Sequence, residues 1–206
     1  MDTNWASENL QVIRTLMERS TLYRRALAPI MIVSGVIGTG AAILPRFVSI
    51  ETNARFALFW IAVSMVTLVA SLLLVRRQAL KDAEPFWSVP TRRVTSALLP
   101  AFFVGFLAGM FYVLNETPWR AGLLAMFWVI VYGCALHAAG FFMPRGIKLL
   151  GWLFVLGGCG CVFASQSWPD LRGAAAGHDI MGVFFGLAHL AYGVYLSFSE
   201  KRRPTS

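Results

Sequence analysis

From residue 26 onward the chain passes through six stretches that contain no Asp, Glu, Lys or Arg: residues 26–45, 56–75, 94–115, 121–144, 149–169 and 180–199. Each is close to the ~20 residues that carry a helix across a ~30 Å hydrocarbon core. Six such stretches consume most of the 206 residues, so no soluble domain fits beside them. The apolar share of 57% against 14% charged residues is far from the balance of a water-soluble domain. The reading is an all-α, polytopic membrane protein with six transmembrane helices and an amphipathic amino-terminal helix. It divides into a terminal segment (1–25), one membrane domain (26–199) and a short tail (200–206).

Basic residues alternate between the gaps. Four precede the first span, and Arg76, Arg77, Lys81, Arg92 and Arg93 lie between the second and third. Arg145 and Lys148 follow the fourth span, and Lys201, Arg202 and Arg203 follow the sixth, which makes 14 on the side of both termini. The opposite side holds 4: Arg46, Arg55, Arg120 and Arg172. The positive-inside rule then places both termini in the cytoplasm. The net charge of +8 is explained as membrane anchoring, with anionic headgroups as partners and no nucleic acid, because the cations flank apolar spans and form no continuous basic face. The first apolar stretch reads as a signal anchor, since it is too long for a cleaved leader and lacks a processing boundary.

Residues 8–25 pattern as a helix with Leu10, Ile13, Leu16 and Met17 on one side and Arg14, Glu18 and Arg19 elsewhere. It suits the membrane surface. A cytoplasmic helix packed on the bundle or held by a partner fits the same pattern.

Small residues suggest how the spans meet. Gly105-x-x-x-Gly109 in span three, Gly182-x-x-x-Gly186 in span six and Gly157, Gly158 and Gly160 in span five permit close backbone approach, within one chain or in a homo-oligomer. Gly182, Gly186, His189 and Gly193 share one helical side, whereas Leu196 is placed toward lipid. A parallel repeat, with Ala26 to Pro29 matching Ala97 to Pro100, stands beside chance similarity. Pro29 is read as lying near a helix start, and Pro100 as a possible kink.

Chemistry-bearing residues are sparse. Cys134, Cys159 and Cys161 lie inside spans, without the two-residue spacing of redox or zinc motifs, and read as packing groups. His137 and His189 are the two intramembrane histidines, close enough in depth to meet if the helices tilt. Each fits a neutral interior imidazole hydrogen-bonded to a neighbouring helix. Together they also fit a cofactor-binding pair for haem iron or a transition metal, although the identity of any cofactor is left unknown. Asp170, Arg172, His178 and Asp179 form the larger outer loop, as an entrance or a wet surface, with residues 173–177 as a flexible link. No assembled nucleophile, carboxylate cluster or metal motif points to an enzyme.

The stretches LQVIRTLMER (10–19), YRRALAP (23–29) and GLAHLAYG (186–193) resemble a family of small six-span bacterial inner-membrane proteins. The resemblance implies a bacterial inner membrane and brings no activity with it. The functional expectation is a non-enzymatic structural or regulatory membrane module. The alternative is small-solute transport or haem or metal handling at His137 and His189.

Overall fold

In a computed structural model, residues 21–83, 85–115 and 120–201 are described. Of the amphipathic helix expected over residues 8–25, the part before residue 21 lies outside them, and residues 21–25 are continuous with the first spanning helix. Among the described residues six helices are long and apolar enough to cross a membrane, and no strand occurs. They are α1 (Thr21–Ile43), α2 (Asn53–Lys81), α3 (Val89–Leu114), α4 (Ala121–Ala139), α5 (Arg145–Ser167) and a sixth rod in three parts. That rod begins as α6 (Ala174–Met181), widens into a π-helical segment (Gly182–Ala188) and continues as α7 (His189–Lys201). A helix satisfies its own backbone groups where no water can, which is why continuous apolar sequence takes this form in lipid.

The helices close into a ring. α1 packs on α2 and on the sixth rod, α3 on α2 and α4, and α4 on α5 and α6. Ring contacts between Phe154 of α5 and Phe184 and His189 of the sixth rod complete the circuit. Half of the apolar window of α4 is buried by protein, against 6% for α2 and 11% for α3. Thus α4 is the most enclosed helix, and α2 and α3 form the side most open to lipid. The core runs through Leu27, Met31, Phe56, Trp60, Leu124, Met126, Val129, Ile147 and Phe154.

Helix ends follow local chemistry. Thr52 caps α2, its side chain accepting from the Arg55 amide at 3.3 Å. Past the other end of α2, Ala83 adopts a left-handed backbone with φ 51°, the conformation of a helix-ending glycine. Ser and Thr hydroxyls inside the spans bond to carbonyls of their own helices: Thr39 to Gly35, Thr67 to Val63, Ser71 to Thr67 and Ser197 to Gly193. None of these needs a neighbouring helix or water.

Several expectations change. Helix α2 continues through Arg76 and Arg77 to Lys81, so the inner loop is shorter than residues 76–93. Residues 174–177 are helical, and Gly177 is buried against Phe56 and Gly122. Pro29 sits well inside α1. Leu196 is 7% exposed and belongs to the core. It follows His189 by seven residues and Gly193 by three, a spacing that keeps it on their buried face.

The glycine reading holds for span six and fails for part of span three. A Cβ built on Gly186 would lie 2.6 Å from Thr39 Oγ1 and 2.8 Å from Thr39 N, and one on Gly182 would lie 2.6 Å from Ala42 Cβ. The partner is α1, which contributes Gly35 and Gly38 to the same seam. Gly105 faces no helix backbone. Its carbonyl accepts the Trp128 indole N–H at 2.8 Å, and the Gly105–Gly109 face is a slot for that ring.

Candidate functional site: two closed histidine networks and an open one

His189 begins α7 directly after the π-helical segment and is 2% exposed. Its Nδ1 lies 3.1 Å from the carbonyl oxygen of Phe184, five residues earlier, and its Nε2 lies 3.0 Å from the Tyr132 hydroxyl of α4. A carbonyl accepts and cannot donate, so Nδ1 carries the proton. Nε2 of the neutral ring then accepts from Tyr132. The π turn, with its wider spacing, presents the Phe184 carbonyl to a side chain five residues along.

Around this pair the walls are aromatic. Tyr132 lies 4.9 Å from Phe185 and 5.4 Å from Phe154, centroid to centroid, and Phe185 stacks on His189 at 6.0 Å with a 12° interplanar angle. Gly157 makes room for the Phe184 ring, because a Cβ there would lie 2.5 Å from it. The arrangement can hold one proton on a fixed phenol–imidazole hydrogen bond. No charged side chain lies in the six stretches to pass that proton onward.

His178 was expected in a loop, yet it is 4% exposed within α6. The Trp60 indole N–H of α2 donates to its Nδ1 at 3.0 Å, and its Nε2 lies 3.1 Å from the Ile50 carbonyl. An indole only donates, so Nδ1 must accept and Nε2 carries the proton toward Ile50. Phe56 and Phe59 flank the ring at 4.7 and 5.8 Å. This network pins the α1–α2 connection, α2 and α6 together at the end opposite the termini. Beside it, Asp179 and Arg46 make an exposed ion pair at 3.5 Å, of the kind that contributes little.

His137 is different. It sits near the end of α4, its ring edge-on to Phe141 at 5.6 Å and to Trp152 of α5 at 5.4 Å. Its Nδ1 is buried without a hydrogen-bond partner. The ring neighbours of His137 and His189 differ, and no ring contact or hydrogen bond joins the two. The cysteines are free, with Cys134 exposed. Among the described residues no three His, Cys, Asp or Glu side chains gather as a metal set.

Tyr132 and Trp60 were not singled out by sequence reasoning, and His178 was placed in the outer loop. A buried Tyr or Trp needs a partner for its polar atom, and that requirement was the available signal for the first two. For His178 the signal was Ala174 to Ala176, a run of strong helix formers directly before it. No family model matches this chain, and neither curated proteins nor solved structures yield a match.

Proposed function

We propose that this chain is a structural or regulatory module of the bacterial inner membrane, with both termini in the cytoplasm and no catalytic role. The observation that carries this reading is His189, whose two ring nitrogens are both occupied by partners inside the bundle. A buried polar group satisfied in this way specifies one packing arrangement and holds it. The seam of glycines between α1 and the sixth rod supports the same role, because it makes a stiff helix pair. The orientation rests on the 14 to 4 distribution of basic residues, which also favours anionic headgroups on the cytoplasmic side.

The test is visible absorption and metal analysis of the detergent-purified protein. The proposal expects neither a chromophore nor stoichiometric metal. A bound group lost on replacing either His137 or His189, with the helices still folded, overturns it. Reporter fusions in the 82–88 loop and after residue 203 should report cytoplasm, and one near residue 170 the opposite side. External signals from both of the first two would reverse the orientation.

The second reading, small-solute or haem or metal handling, is favoured by one observation. His137 Nδ1 is buried and unpaired, and so keeps a lone pair or an N–H that no protein group uses. The same metal and absorption measurements decide between the two.

A further inference from the structure

Two cations from different helices converge on the α4–α5 turn at the edge where the termini lie. Lys148 Nζ of α5 stands 3.5 Å from the centroid of the Phe141 ring, and Arg93 Cζ of α3 stands 6.0 Å from that of the adjacent Phe142. Both rings are open to the surroundings, at 66% and 48% exposure. A ring face positions a cation and restricts its rotamers without neutralising it.

The three helices that form this corner bring no carboxylate to it. Residues 85–115 and 117–169 contain no Asp or Glu, so α3, α4 and α5 carry no carboxylate at all. Among the described residues neither Arg93 nor Lys148 forms an ion pair. Arg92, also exposed, stands beside Arg93.

Below this charged rim the surface of α5 is apolar and open. Trp152 lies one turn deeper than Lys148, and Leu149, Leu153 and Leu156 are each more than half exposed. A ligand for such a place needs a negative head at the rim and an apolar tail running inward. An indole at this depth is the usual interfacial anchor.

We propose that this corner binds an anionic phospholipid of the leaflet on the terminal side. Its phosphate sits between Arg93 and Lys148, and an acyl chain lies along Trp152 and Leu156. The proposal deepens the headgroup partnership above and rests on that reading. A soluble phosphate would leave the apolar wall of α5 without a role, and the rings would face lipid instead of water.

The test uses the full-length chain in mixed micelles, with native mass spectrometry counting retained phosphatidylglycerol against phosphatidylcholine. The double variant R93Q/K148Q is compared with R76Q/R77Q, which removes the same charge elsewhere on that edge, and with R93K/K148R. Each Lys or Arg at a membrane surface is worth about a factor of five, so R93Q/K148Q should lower phosphatidylglycerol affinity roughly tenfold to thirtyfold. R76Q/R77Q and R93K/K148R should stay near wild type, and the last shows that the corner tolerates substitution. Equal losses in the two Gln variants would overturn the site and leave general headgroup attraction standing. No preference for phosphatidylglycerol in the wild-type protein would overturn both.

Discussion

Gly38 and Gly40 stand two residues apart on α1 and offer a matched test of the seam. A Cβ at position 38 would lie 2.5 Å from the Phe185 carbonyl oxygen, 2.7 Å from its carbon and 2.9 Å from the Gly186 nitrogen, while one at position 40 meets nothing within 4 Å. The obstructing atoms at 38 are backbone and cannot rotate aside. Since carbon and oxygen settle at about 3.3 Å, Gly38→Ala must push the sixth rod away by roughly 0.8 Å. Gly35, Gly182, Gly186 and Gly193 line the same seam. A gap of that size forfeits about a quarter to a half of each dispersion contact along it. Overpacking of this kind costs about 1–3 kcal/mol. At position 40 the same change meets no obstruction and gains about 0.5–1 kcal/mol by stiffening the helix. The two alanine variants should therefore differ by roughly 1.5–4 kcal/mol, or about 3–16 °C in midpoint for a chain of this size. Thermal unfolding in one detergent, followed by circular dichroism, measures it. Equal midpoints, or a lower one for Gly40→Ala, would refute the claim that backbone contact at this seam holds α1 to the sixth rod.

Gly186→Leu meets Thr39 backbone, whereas Gly160→Leu meets open space, so the former alone should lower folded yield in size-exclusion profiles. Ala83→Gly removes a side chain from a left-handed backbone and should raise stability by up to about 1 kcal/mol in the same melts. Trp60→Phe leaves His178 Nδ1 without its donor and should cost about 1–3 kcal/mol. An unchanged midpoint there would show that the outer network is dispensable. His189→Gln should exceed His189→Leu in stability, because an amide can serve one of the two partners that Leu abandons. The reverse order would mean that bulk, not polarity, matters at this position.

The spans were legible because length and charge exclusion are one-dimensional properties, and six uncharged runs leave few alternatives. Helix faces were legible where small residues recur at helical spacing, as at Gly182 and Gly186. What lies between helices was not. The seam partner of Gly186 is α1, more than 140 residues away, and no local pattern pairs Gly38 with Phe185. Charge misled at the start of the sixth rod, where Asp170, Arg172 and Asp179 read as a wet loop although Ala174 to Ala176 begin a helix. Depth alone does not give a histidine's neighbours. His137 and His189 share a zone of the membrane, but the ring contacts of one are Phe141 and Trp152, and Tyr132 belongs to the other.

The two fully buried histidine networks are closed in opposite senses. At His178 a donor-only indole fixes the proton on Nε2; at His189 an acceptor-only carbonyl fixes it on Nδ1. For His189 to bind a metal through Nε2, Tyr132 would have to release it and lose its partner inside the bundle, at about 1–3 kcal/mol. Coordination could exceed that cost, so the hydrogen bond alone does not decide the matter. The second ligand does. Beyond the Tyr132 oxygen, the imidazole meets the rings of Phe154, at 88° to it, and of Phe185, stacked on it. A metal there would find a phenol, one imidazole and hydrocarbon, a poor set for any ion that prefers several nitrogen, sulfur or carboxylate donors. Polar groups with unfilled capacity lie instead toward the rim, in His137, Arg93 and Lys148. On the proposed reading the interior is a fastening, and recognition belongs to the edge where protein meets headgroups.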